Sequence, residues 1–218
     1  MEPIVLPAAP SALLETSFVA LALGMAVLFA LWTGHRLLAA GWLGVTGAVT
    51  AVGWLQAFSP PPPLLVLLLS GAMGVTLLAW RSDWHTRPLA FLVGFQSFRI
   101  LVELAIHQAV VEGVAPPQMT WSGRNLDVLA GLGALVLAPF AAKLPAWSLF
   151  AWNAIGLALL VNVVSVAMLS LPTPFQVFQP DNVWLAFFPF SWLPLVLAMM
   201  AWLGHVVIFK RLIEDARS

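Results

Sequence analysis

The sequence predicts an all-α polytopic transmembrane helix bundle, with seven spans, the N-terminus outside and the C-terminus cytoplasmic. Three observations carry that prediction. Of the 218 residues, 61% are hydrophobic and only 8% charged, whereas a soluble domain carries about 25% charged residues. Seven apolar runs approach the roughly 17–25 residues that a helical crossing needs. Basic residues segregate strongly to one side of the arrangement those runs imply.

The spans are expected at about 13–32, 37–58, 64–80, 89–111, 126–142, 146–169 and 191–209 of one domain covering 1–218. The stretch from Met1 to Pro7 lacks the basic region of a secretory signal, so the first helix is expected to be retained. Span two is closed by Ser59 and Pro60 to Pro63, which cannot continue a helix and give a tight outer link. Gly41, Gly44, Ala48 and Ala51 on span two, and Gly71 and Gly74 on span three, suit close helix packing. Span five is short and is interrupted by Pro139. Charge argues for keeping it: with seven spans, Arg36, Arg81, Arg87, Lys143, Lys210, Arg211 and Arg217 lie inside and only Arg124 outside. The outer stretch 171–182 is the longest connection. Trp184, Phe187, Phe188, Phe190 and Trp192 follow it as an aromatic group suited to the outer interface, and Pro189 and Pro194 predict a broken start to span seven. The chain shows no internal repeat, low-complexity tail or soluble domain.

Composition also excludes functions. Nine basic and nine acidic residues balance to zero net charge, which leaves no field to attract nucleic acid. The absence of cysteine excludes disulfides, thiolate metal sites and cysteine nucleophiles. Span seven holds no lysine, so a retinal Schiff base is not supported.

Span four carries the strongest functional signal. At about 100° per residue, Gln96, Arg99, Glu103 and His107 fall within an arc of roughly 80°. Counting inward from Arg87 puts Arg99 near mid-membrane and His107 towards the outer end. A charge at a helix centre costs about 2.5–3.5 kcal/mol on insertion scales, so these groups should face the bundle. The plain alternative is an Arg99–Glu103 ion pair at i,i+4, in the less favourable order. His107, whose unperturbed imidazole takes both protonation states at ordinary pH, could serve as a proton relay or ligand, and its plain reading, the one to prefer, is a hydrogen-bonded histidine at the helix end. The outer loop from Met119 to Asp127 adds Arg124, Asn125 and Asp127 at a helix start. Arginine beside free amides makes an anion site there, while Asn125 or Asp127 could simply cap the helix. Asn162 on span six, Asn153 nearer its inner end and Gln176 in the outer stretch complete the polar positions. Interhelical hydrogen bonding is the expected role of the two asparagines. Neither a His-Glu-x-x-His nor a Glu-x-x-His set is present, and topology places His35, His85 and His205 at the inner side, away from His107. No metal or cofactor is predicted.

Phe98-Arg99 with Glu103, Met119-Thr120, Gly123-Arg124-Asn125 with Asp127, Trp152-Asn153 with Asn162, Pro174-Phe175-Gln176, and Phe188-Pro189 with Trp192-Leu193-Pro194 and His205 form a further pattern. In it the last half of the chain resembles a bacterial family of small polytopic membrane proteins of unknown function. The resemblance implies a bacterial cytoplasmic membrane and adds no activity.

The leading functional expectation is an outward-opening polar pocket that binds or translocates a small polar or anionic ligand, or protons. Arg99 and Arg124 would hold the ligand and Glu103 and His107 would exchange protons. An intramembrane enzyme acting on a lipid-linked substrate, and an accessory subunit whose charges only fasten helices, are the alternatives. The lipid bilayer is the one partner the composition requires.

Overall fold

The computed structural model describes residues 4–217, so the first three residues of the N-terminal stretch lie outside the described residues. It is all-helical among the described residues. The main helices are α1 (Ala12–Thr33), α2 (Arg36–Ala51), α3 (Pro63–Arg81), α4 (Leu89–Phe95), α5 (Phe98–Val111), α6 (Val128–Leu137), α7 (Ala146–Leu169) and α8 (Ala198–Asp215). Five helical stretches among the described residues are long and apolar enough to cross a membrane: α1, α3, α4 with α5, α7, and Leu193–Asp215. Leu31, Leu69, Met73, Leu135 and Ile155 are exposed on the surface. An apolar rim of this kind suits a hydrocarbon surrounding.

Local chemistry sets the ends. Ser11 accepts the Leu14 amide at the start of α1, and Gly34, at φ 80°, closes it. The second helix is shorter than expected because Gly53, at φ 73°, turns the chain into the left-handed region just after Val52. Its glycines also do not pack closely: a side chain at Gly41 or Gly44 would meet nothing within 4 Å. The buried positions of α2 are instead Thr46 and Thr50. Gly71 of α3 does sit under a close approach, with Met199 packed where its side chain would be.

The α8 span is the centre of the bundle, 78% buried against 33%, 22% and 28% for α1, α3 and α7. It packs on α3, α4 and α7, while α6 packs on α4, α5 and α7. Its start is broken, as the prolines predict: a π-helical turn over Leu193–Leu197 leads into it. The contacts from α2 supply what the break leaves open. Trp42 Nε1 donates to the Leu195 carbonyl at 2.6 Å, Trp192 Nε1 donates to Thr46 Oγ1 at 3.1 Å, and Thr50 and Ser191 hydroxyls pair at 2.8 Å.

Two expectations are corrected here. The aromatic group at 184–192 does not line an outer interface as a set: Trp184 and Phe190 are fully buried and Trp192 nearly so, leaving Phe188 exposed. Phe18 packs edge-on against both Trp184 and Phe190, so the segment is drawn into the core. The last helix also runs past Lys210 to Asp215. Lys210 is buried, and its ammonium donates to the carbonyls of Trp80 at 2.9 Å and Ser82 at 2.5 Å, which closes the end of α3.

Candidate functional site

The site is built where two breaks in helical regularity meet. Span four bends at Gln96–Ser97, where the hydrogen bonds Gln96 N to Val93 O, Ser97 N to Gly94 O and Arg99 N to Gln96 O tighten to the i,i+3 pattern. Gln96, Arg99 and Glu103 nevertheless stay on the buried face, each at most 2% exposed. The second break is α6, whose apolar helix, Val128–Phe140, is only about 20 Å long at a rise of 1.5 Å per residue. The loop before this short helix descends into the bundle. Thr120, Asn125 and Asp127 are buried in consequence.

That descent delivers Asp127 to Arg99. The guanidinium is held in a bidentate pair: Nε donates to Asp127 Oδ2 at 2.6 Å and Nη2 to Oδ1. Nη2 also donates to the Gly156 carbonyl at 3.2 Å, and Nη1 to His205 Nε2 at 2.8 Å. Because arginine only donates, His205 Nε2 must accept, and its proton is therefore on Nδ1. Nδ1 donates to Asn153 Oδ1 at 2.8 Å, and Asn153 Nδ2 returns a bond to the His205 carbonyl at 3.0 Å. One continuous chain thus links α5, the start of α6, α7 and α8. It depends on Gly156, since a side chain there would come within 2.8 Å of the His205 ring.

Glu103 sits one turn along α5 in a different situation. Both carboxylate oxygens accept from one donor, Asn125 Nδ2, at 2.8 and 2.7 Å. The same nitrogen donates to the Met119 carbonyl at 2.9 Å, while Asn125 Oδ1 accepts the Asp127 amide at 2.9 Å. The amide has two hydrogens, so one is shared across the carboxylate and the other serves Met119. Glu103 has no ion-pair partner among the described residues; the only such partner of Arg99 there is Asp127. The cluster therefore contains one cation and two carboxyl groups, with Glu103 in excess.

Beside Glu103 lies a cavity of about 50 Å³ between α5, α7, the π-turn and α8. Its wall is apolar, with Val102, Leu160, Leu185 and Ala201 among its members, except for Arg99, Glu103 and Asp127. By volume it can hold a water molecule or a small polar head.

The remaining expected residues lie apart from this cavity. The His107 ring stacks on Trp121 with centroids 4.3 Å apart and contacts Thr120 Oγ1 at 3.3 Å. Arg124 is exposed, its guanidinium 4.6 Å from the centre of the Phe178 ring, and its carbonyl accepts from Asn162 Nδ2 at 2.8 Å. Gln176 Nε2 donates to Asp181 Oδ1 at 2.7 Å within the 171–182 stretch. Gln96 Nε2 donates to the Ala201 carbonyl at 3.0 Å, and its Oε1 is buried without a partner among the described residues. Arg99 and Arg124 thus do not converge on one space.

His205 is the residue that sequence reasoning missed. Counting the membrane boundary from Lys210 puts it at the inner end, yet it touches Arg99. A signal was present: Ala198, Ala201 and His205 follow an i,i+3,i+7 pattern, a small-residue face leading to one polar group. Asn153, expected to bond between helices, does so. Comparison with known protein families, curated proteins and solved structures returns no match.

Proposed function

We propose that the chain is a multi-pass protein of a bacterial cytoplasmic membrane whose cavity binds a small ligand through the carboxyl group of Glu103. The five long helices together with the shorter α2 and α6 make seven crossings in this reading, N-terminus outside, supported by the one-sided distribution of basic residues. The Arg99–Asp127–His205–Asn153 chain is the frame that fixes the cavity wall.

The observation that carries the reading is the excess carboxyl. A buried carboxyl group with one shared amide donor has unused acceptor capacity, and in an apolar surrounding that capacity is costly to leave unmet. Glu103 has it, and it is part of a cavity wall. Arg99 has a single donor left, because its bonds to Asp127, His205 and Gly156 use four of its five. An anionic ligand is accordingly less well served than one that brings a hydrogen-bond donor or a proton.

The test is a thermal-unfolding screen of the reconstituted protein against a broad panel of polar metabolites and membrane-soluble compounds, read by tryptophan fluorescence. At least one compound is expected to stabilise the wild type and to lose that effect in Glu103→Gln. A panel in which every stabilising compound acts equally on Glu103→Gln would sink the proposal. The Arg99 chain by itself would serve an accessory subunit whose charges only join helices. In that reading Glu103→Gln changes nothing beyond stability.

A further inference from the structure

A second space lies against the back of the Glu103 cavity. A groove of about 430 Å³ runs between α3, α7 and α8. Leu160 and Val164 of α7 and Ala198 of α8 line both the groove and the cavity, so these three side chains form the partition between them. It is a thin wall, with a methyl group on the α8 side. The rim of the groove is apolar and outward-facing: Leu69 is 60% exposed, Met73 63% and Val161 49%. Its polar groups are already engaged. Trp202 Nε1 donates to Thr76 Oγ1 at 2.8 Å, Thr76 Oγ1 donates to the Ala72 carbonyl at 2.7 Å, and Ser165 Oγ donates to the Val161 carbonyl at 2.7 Å. The groove therefore offers a hydrocarbon surface, and the polar acceptor with spare capacity behind it is Glu103.

Resting on the reading of Glu103 as the ligand-receiving group, we infer that the ligand is a lipid-soluble alcohol that enters sideways from the bilayer. Its chain lies in the α3–α7–α8 groove and its hydroxyl passes the Leu160–Val164–Ala198 partition to donate to Glu103. Complementarity selects the head group. An acid would meet the carboxyl in excess, with the neighbouring Arg99 already bound to Asp127. An ammonium would answer the charge of Glu103, but its three N–H donors exceed what is left on a carboxyl group already bonded to Asn125, and the rest of the wall is apolar apart from Arg99 and the Asp127 that it holds. A hydroxyl brings one donor, which Glu103 accepts. The small volume beside Glu103 fits such a head, and the larger groove fits a hydrocarbon chain.

The experiment uses the full chain in lipid nanodiscs and a photoreactive hexadecanol with its diazirine near the hydroxyl, competed by unlabelled hexadecanol, hexadecanoic acid, hexadecylamine and butanol. Labelling is expected at the partition and cavity walls, displaced best by hexadecanol. Glu103→Leu should weaken the competition by about tenfold, the equivalent of one lost hydrogen bond. Ala198→Phe, which thickens the partition, should slow labelling. Because that change lies in the bundle, Met73→Trp at the exposed rim provides a second obstruction that leaves the core untouched. Better displacement by the acid or the amine overturns the hydroxyl head. Equal labelling of Glu103→Leu also overturns it, by showing that the chain alone is bound. Unchanged labelling rates in both Ala198→Phe and Met73→Trp, or displacement by butanol as good as by hexadecanol, overturn lateral access while leaving Glu103 as a binding group. If no probe reaches the cavity and no compound stabilises the protein through Glu103, both readings fail together.

Discussion

Arg99 and Glu103 lie four residues apart on one helix, equally buried, and their surroundings are opposite. Around Arg99, one cation meets a bidentate carboxylate, an imidazole and a carbonyl drawn from three other parts of the chain. Around Glu103, two oxygens share one amide hydrogen at the edge of a cavity. The first arrangement is what a bundle needs to bury charge in an apolar surrounding. The second leaves capacity unused, and capacity of that kind is where a binding site differs from a structural clamp. Intramembrane charge alone does not distinguish the two; the count of partners does.

The contrast can be broken most sharply at Asp127. Asp127→Ala should destabilise the protein by about 3–5 kcal/mol, because it strands a buried guanidinium. Replacing both partners with apolar residues, Arg99→Met with Asp127→Leu, should recover much of that loss. Reversible unfolding in mixed detergent micelles measures both, and a single variant as stable as wild type would remove Arg99–Asp127 as the frame.

Gly156→Ala probes the same side by geometry. The added methyl must displace the His205 ring, and overpacking of this sort costs about 1–3 kcal/mol. The same unfolding assay should show the loss shrinking when His205→Ala is combined with it. Additive losses would mean that the two residues do not share a space.

Asn153→Ala removes the support of the imidazole and should cost about 1–3 kcal/mol. Glu103→Gln, on the other side of the contrast, should change stability by less than any of these, since the side chain keeps its shape and an acceptor for Asn125. A loss as large as that of Asp127→Ala would place Glu103 in the frame instead.

The smallest effect concerns the C-terminal end of α5, away from both groups. Glu112 accepts from the Ser11 amide and hydroxyl, each at 2.7 Å, and from Gln108 Nε2 at 2.8 Å. These donors, Gln108 first, hold its carboxyl below its ordinary value of 4.5. A depressed folded value means that the contribution is complete above about that ordinary value and is lost as pH falls through the lower folded one. Acid unfolding profiles of wild type and Glu112→Gln should therefore converge below that window and separate slightly above it. Parallel profiles throughout would remove the latch between α1 and α5.

Much of the fold was legible in sequence where periodicity and punctuation act locally. α7 runs Ala146–Leu169, as expected, because Pro145 precedes it and no interior residue interrupts it. The polar stripe of span four is buried at Gln96, Arg99 and Glu103 as its arc implies, and the prolines do break the start of α8. What was not legible depends on depth. Lys210 reads as a boundary charge, yet it is buried against α3 carbonyls and α8 continues to Asp215, so His205 lies well inside the helix. Arg99 is ten residues from Leu89 and His205 ten from Asp215, so the two meet about 15 Å from their helix ends. The same holds for Asp127. Its loop reads as outer, yet it folds into the bundle and pairs with Arg99.

An experimental density map of the wild-type chain in lipid nanodiscs tests the role of Glu103 most directly. Non-protein density is expected within hydrogen-bonding distance of Glu103, lost in Glu103→Leu, with the Arg99–Asp127 pair unchanged in both. A dry cavity with Glu103 bonded to Asn125 alone, or density held by Arg99 in place of Asp127, would contradict that role.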